Sequence, residues 1–285
     1  MAENEITEYF KETDIMQKSV FDAMRYAVTG GGKRLRPILV MAAAELCGAN
    51  LNDASKVALA VECIHNYSLI HDDLPCMDDD DLRRGRATCH IKFGEDIAVL
   101  AGDGLLNAAF EILSNRKSFV SLSDSQLIEI IRSLSAASGA YGMIGGQVVD
   151  IECEGKANIT EEELGYLHAR KTGALIRASV RCGCLCGNYS EEILAATDSY
   201  ASKIGLAFQI KDDILDVEGD EEKLGKPIGS DVKSDKKTYV TLLGADSAKQ
   251  RVRELTESAK SELKPFGESA EFLTKLADKL CGREK

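Results

Sequence analysis

Only four prolines interrupt 285 residues, and that scarcity constrains the fold more than any other property of the chain. Proline removes a backbone donor and clashes with the preceding turn, so helix interiors exclude it. Apolar residues recur at helical intervals almost throughout, and alternating β-branched runs are nearly missing. The periodicity predicts helices over about 4–28, 36–48, 53–73, 95–113, 124–149, 160–186, 190–218, 238–262 and 267–281. Glycine with Asn, as at Gly48–Ala49–Asn50 and Gly187–Asn188, marks the stops. Tandem repeats and low-complexity linkers are absent. The chain therefore reads as all-α, one domain over residues 1–285, a bundle of roughly ten or more helices.

A hydrophobic fraction of 44% is enough for a sizeable core, while the net charge of −12 argues against nucleic acid or anionic membrane surfaces as partners. The start, MAENEITEYF, is too acidic for a signal peptide. The longest apolar run, Ile38–Ala44, is too short to span a bilayer, so no stable membrane insertion is expected. Nine cysteines include no CxxC pair, and Cys182, Cys184 and Cys186 spread over different faces of one helical stretch. They read as buried thiols of a cytoplasmic protein rather than disulfides or zinc ligands.

The stretch HDDLPCMDDDDLRRGR crowds Asp72, Asp73, Asp78, Asp79, Asp80 and Asp81 together. Pro75 ends the preceding apolar helix, which puts Asp72 and Asp73 at its C-terminus, where the helix dipole disfavours anions. His65, Ser68 and Asp72 share one face of that helix. Charge runs are usually solvated loops, but this one follows a buried helix and is interleaved with Pro75, Cys76 and Met77. Hard divalent cations would relieve the repulsion, and oxygen-only ligands suit Mg²⁺. A second cluster, FQIKDDILD, carries Asp212, Asp213 and Asp216, with Asp212 and Asp216 four apart on one face. Two such carboxylate walls facing each other would hold several Mg²⁺ ions with positions open for substrate phosphates.

Cations are placed to complete an anion site. TGGGKRLRP brings Lys33, Arg34 and Arg36 to a helix start. Arg83, Arg84 and Arg86 add forked donors suited to phosphate. Lys171 and Thr172 in ARKTGALI, and Lys226 and Lys236 in GKPIGSDVKSDKKT, are further candidates, although a lone lysine is more often surface charge.

Taken in order, GGGKRLRP, ECIHNYSLIHDDLPCMDDDDLRRGRATCH, AGDGLL, GGQVVDIECEG, HARKTGALI, FQIKDDILD and GKPIGSDVKSDKKTY resemble the trans-isoprenyl diphosphate synthases, nearest the bacterial farnesyl diphosphate type. The resemblance spans nearly the whole chain. It implies the isoprenoid synthase fold, helices around a central substrate cavity, acting as a homodimer. It also implies a cluster of Mg²⁺, three ions once substrate is bound. These would be held by Asp72 and Asp78, with Asp73 and Asp79 nearby, and by Asp212, with Asp213 and Asp216 in support. Arg83, Lys171, Thr172, Gln209, Lys226 and Lys236 match positions around the allylic diphosphate. Lys33, Arg36, His65 and Arg84 match the pocket for isopentenyl diphosphate.

The implied reaction ionises an allylic diphosphate, lets the isopentenyl double bond attack, and loses a proton, with the departed diphosphate as its acceptor. Asp72, Asp78, Asp212, Lys171 and Arg83 would carry the catalysis, and the implied product is (2E,6E)-farnesyl diphosphate. Tyr67 lies five residues before Asp72, about 7.5 Å down the helix axis. Helical spacing sets Ser68 directly beneath Asp72, so Tyr67 would close the cavity from the flank and limit the product to C15. The DDLPCMD spelling is shared with C20 synthases, which makes a geranylgeranyl diphosphate synthase the runner-up. A class I terpene cyclase is disfavoured by DDILD and GGGKR. A non-catalytic synthase subunit is disfavoured because both aspartate motifs are intact. An HD-type phosphohydrolase would need more histidines than His90 and His168 supply.

Overall fold

The computed structural model describes residues 1–11, 15–153, 156, 159–218 and 238–282. The first half holds α1 (Ala2–Tyr9), α2 (Lys18–Val28), α3 (Leu35–Leu46), α4 (Leu51–Asp72), α5 (Cys89–Phe93), α6 (Glu95–Ser114) and α7 (Asp124–Ser138). Next come α8 (Met143–Cys153), α9 (Glu161–His168), a π turn at Ala169–Gly173, α10 (Ala174–Leu185) and α11 (Glu191–Glu218). The rest is α12 (Tyr239–Leu243), α13 (Ala245–Leu263) and α14 (Glu271–Cys281). Among the described residues the single sheet is a hairpin of β1 (Leu82–Arg83) and β2 (Arg86–Ala87).

Helix α4 forms the axis. It starts where the Asn50 side chain accepts from the N–H groups of Asn52 and Asp53, satisfying donors that a helix start leaves open. Its middle is apolar on nearly every side, Glu62 excepted, as expected of a helix enclosed by others, and Val57, Ala60, Val61 and Ile64 are fully buried. It ends at Asp72, before Pro75 as expected. Buried Asp53 accepts from the backbone N–H groups of Val120, Ser121 and Leu122, which anchors the segment leading into α7.

The core divides into two clusters. One surrounds α4 with α2, α6 and α7; the other joins α11, α13 and α14. Helices α3 and α10 stand between and contribute opposite faces to each. The cysteines show the division. Cys182 and Cys186 pack in the first cluster and Cys184 in the second, as their spacing implies. All nine thiols are free, and only Cys76 is exposed.

Four of the expected helices are broken. The 4–28 segment separates into α1 and α2, and 124–149 into α7 and α8 at Gly139–Gly142. The 160–186 segment contains the π turn, and Gly244, at φ 80°, separates α12 from α13. At the last of these joints the positive φ of Gly244 is backbone freedom that periodicity does not register. The hairpin also escapes a pattern search. It rests on a two-residue turn in which Arg84 and Gly85 both take positive φ, 55° and 73°, the twist a tight hairpin requires. Helix α6 is long and apolar enough to cross a membrane by length and composition alone, and here it packs against α4 and α2.

Candidate active site

A cavity of about 1220 Å³ opens beside the C-terminal half of α4 and is walled by α3, α6, α8, the π turn and α11. Asp72 on α4 and Asp212 on α11 both line it. Asp72 carries a raised pKa, first through burial and further through the charges of Asp78 and Asp73, while Lys171 and Arg83 pull it down. Asp78 is exposed and donates its backbone N–H to the Asp72 carbonyl at 2.9 Å. Asp79 is exposed, with φ 52°.

Asp78 and Asp79 do not line the cavity, and neither do the remaining three acidic candidates. Asp73 is buried and accepts a fork from Arg83, whose Nε lies 2.7 Å from Oδ1 and Nη2 2.5 Å from the same oxygen. Asp213 is buried and accepts the backbone N–H of Tyr239 at 2.8 Å. Asp216 is likewise buried.

Among the described residues no three acidic, histidine or cysteine side chains converge to enclose an ion. Instead Asp72 from α4 and Asp212 from α11 line one cavity, and their donors are oxygen only. That set fits Mg²⁺, which is usually bound by one or two carboxylates with the rest of its shell left to water and substrate phosphates. The crowding at Asp72 gives a physical reason for a cation there: burial and the neighbouring carboxylates disfavour its charge, and a divalent ion would favour it. Asp72 and Asp212 are the two of these carboxylates that line the cavity and could reach a cation in it.

Cations line the same cavity. Lys33, Arg36, His65, Arg83 and Arg84 all face it. Burial, then the charges of Arg36 and Arg84, push His65 well below its ordinary pKa. A neutral ring whose Nε2 lies 3.2 Å from Arg36 Nη1 accepts from that guanidinium, which leaves the proton on Nδ1. Arg36 is itself lowered to about 10 by burial, with Arg84 adding and Glu62 opposing. Its Nε is buried without a hydrogen-bond partner, a forked donor still able to take an anion.

Arg34 behaves differently from its two neighbours in sequence. Its φ of 48° turns it into the fold, where Nε meets Glu3 at 2.6 Å, Nη1 meets buried Glu62 at 2.7 Å and Nη2 donates to the Val28 carbonyl at 2.7 Å. Arg84 donates to the Gly31 carbonyl and so fastens the hairpin to the glycine-rich loop.

Lys171, Thr172 and Gln209 line the same cavity as Asp72, whereas Lys226 and Lys236 lie outside the described residues. Tyr67 and Ser68 also line it. The Tyr67 ring meets His71 edge-on with centroids 5.8 Å apart, and its buried hydroxyl has no hydrogen-bond partner. Burial, then the nearby Asp72, pushes that phenol up to about 12. Ser68 donates to the His65 carbonyl at 2.9 Å. Leu106, Met143, Ile144, Val148 and Phe208 supply apolar lining to the same cavity.

Sequence reasoning passed over three residues that matter to this geometry. Glu62 is buried at the cavity edge. Gln147 lines the cavity from α8. Asp150 binds Lys171 from outside it. The quoted stretches ECIHN and GGQVVD contain all three, but nothing in their spacing sets them apart from ordinary helix faces.

Residues 17–272 match the polyprenyl synthetase family. The chain belongs to that family. It is 46% identical to farnesyl diphosphate synthase of Escherichia coli over 100% of this chain and 96% of the relative. It is also 46% identical to a chloroplastic geranylgeranyl pyrophosphate synthase of Capsicum annuum, over 93% of this chain and 72% of that one. Among solved structures, a geranyltransferase of Helicobacter pylori complexed with magnesium and isoprenyl diphosphate superposes with a TM-score of 0.83. The two sequences are 34% identical, covering 99% of this polyprenyl synthetase and 94% of that protein.

Proposed function

We propose that this polyprenyl synthetase is a magnesium-dependent prenyltransferase. It condenses isopentenyl diphosphate with dimethylallyl diphosphate and then with geranyl diphosphate, and it releases (2E,6E)-farnesyl diphosphate. One observation carries the reading: a single cavity is lined by carboxylates from two helices, by several Lys and Arg side chains, and by apolar residues of α6, α8 and α11. Few chemistries need two diphosphates and a hydrocarbon tail held together.

Asp72, Asp78 and Asp212, with Asp73, Asp79, Asp213 and Asp216 in support, would hold several magnesium ions, three with substrate present. When bound, magnesium neutralises the allylic diphosphate and makes it a better leaving group. Lys171, Thr172, Gln209 and Arg83 donate to that diphosphate where negative charge collects, with Lys226 and Lys236 as further donors. Lys33, Arg36, His65 and Arg84 hold isopentenyl diphosphate with its double bond towards the allylic carbon. Neutral His65 adds hydrogen bonding without a charge. The apolar walls keep water from the carbocation, and the departing diphosphate takes the proton.

Tyr67 stands at the flank of the cavity, where a growing chain meets it after the second condensation. Tyr67→Ala is expected to shift products beyond C15; an unchanged length distribution by chromatography of the dephosphorylated alcohols would refute the stop. The likeness to a C20 synthase favours one second reading, geranylgeranyl diphosphate, which the same chromatography of the wild-type products separates. The whole chain works as one domain, in the cytoplasm, as a homodimer. Exposed Leu100 on α6 is an apolar point of contact for the pairing, and light scattering of the purified protein tests it.

A further inference from the structure

Helix α8 presents Gly146, Gln147 and Asp150 within one helical turn, towards the cavity and the π turn. A Cβ at Gly146 would lie 2.2 Å from the backbone nitrogen of Lys171 and 2.6 Å from its Cα, so only glycine lets α8 lie flush against Ala169–Gly173. Four residues on, Asp150 Oδ2 accepts from Lys171 Nζ at 2.5 Å. Both side chains are largely shielded, 17% and 23% exposed. Lys171 lines the cavity and Asp150 does not. The Lys171 charge is also felt at Asp72, so the ammonium stands between two carboxylates, one in front and one behind.

His168 lies behind the pair. Its ring stacks on Tyr239 with centroids 5.6 Å apart, and both ring nitrogens are buried without hydrogen-bond partners. Burial pushes its pKa down to about 4, against the pull of Asp150. A neutral ring does not compete with Lys171 for the carboxylate.

We propose that Asp150 is a positioning residue that acts through Lys171, fixing its ammonium where negative charge gathers on the departing diphosphate and making no contact with substrate. The inference rests on the prenyltransferase reading. A lysine stem has four rotatable carbons, and an unanchored ammonium must be ordered at the moment of reaction. A donor already fixed in place avoids that reorganisation, and its benefit falls on the transition state rather than on binding.

The test compares wild type with Asp150→Asn, Asp150→Glu, Lys171→Ala and the double variant Asp150→Asn/Lys171→Ala. Asp150→Asn should lower kcat about 10- to 100-fold with the allylic KM within about threefold, and Asp150→Glu should recover part of the loss. In the Lys171→Ala background Asp150→Asn should cost nothing more, since a residue acting through another is silent once that other is gone. A second readout needs neither metal nor substrate: acylation of Lys171 by a succinimidyl ester, followed by peptide mass spectrometry. Asp150→Asn should speed that labelling severalfold. Lys203, paired with Glu262 elsewhere, should label unchanged and so exclude unfolding as the cause.

Wild-type kcat in Asp150→Asn, an equal further loss in the double variant, or unchanged labelling of Lys171 would each overturn the proposal. If wild type transfers no prenyl group, the functional reading fails, and the labelling alone decides whether Asp150 holds Lys171.

Discussion

The two charged ends of the cavity handle their charge in opposite ways. At the basic end the fold supplies its own counter-charge: buried Glu62 faces the cations, Arg34 is clamped between Glu62 and Glu3, and His65 stays neutral. At the acidic end burial and the charges of Asp78 and Asp73 work against Asp72. The two cations nearest Asp72, Lys171 and Arg83, are already engaged by Asp150 and Asp73. One end is balanced from within, and the other is left to be balanced from solution. Residues at the first therefore serve stability and function together, whereas residues at the second serve function at the expense of stability.

The largest effect expected is at the acidic end. Asp72→Asn and Asp212→Ala should each lower turnover about 10³-fold or more, while circular dichroism stays helical. Metal-free Asp72→Asn should unfold at the same temperature as wild type or higher, gaining up to about 1 kcal/mol; a clear loss of stability would break the contrast. At the basic end, Arg34→Met leaves Glu62 buried without its main partner and should cost about 3 kcal/mol in urea denaturation. Wild-type stability in that variant would show Glu62 to be balanced by other groups.

Next in size, Arg36→Ala should raise KM for isopentenyl diphosphate about 10- to 100-fold and leave the allylic KM within about threefold, because the anions occupy different ends. Equal losses for both substrates would merge the two pockets into one. The smallest effect concerns pH. Folded His168 stays neutral down to about 4, whereas the unfolded chain protonates it near 6.5. The unfolded state thus binds more protons as pH falls through that window, and stability falls with it, by about 1–2 kcal/mol between roughly pH 7 and 5. His168→Phe should flatten that slope when denaturation is measured at both pH values.

The sequence made much of this arrangement legible because the signals were local. Pro75 places the end of α4, and the interval from His65 through Ser68 to Asp72 sets them on one face, where all three now line the cavity. The two aspartate stretches sit on apolar helices, so packing those helices brings Asp72 and Asp212 to one space. Other features depend on contacts between distant segments. Lys33, Arg34 and Arg36 have like charges and all three line the cavity, yet Arg34, at positive φ, is the one clamped by Glu3, Glu62 and the Val28 carbonyl. Arg83 and Arg84 are sorted by a hairpin of two-residue strands, too short for any periodic signal. The π turn in ARKTG reads as regular helix, because the close approach of α8 at Gly146 is visible only once the helices are packed. Asp150 went unnoticed for the same reason.

The clamp on Arg34 also gives the beginning of the chain a mechanical role. Ile6 of α1 and Phe10 just after it are buried in the core, and Glu3 of α1 reaches Arg34, one residue from the loop lysine that lines the cavity. The first ten residues thus work as a guy-rope on that loop. Trimming them would slacken a substrate pocket assembled from helices far along the sequence, even though none of the trimmed residues lines it.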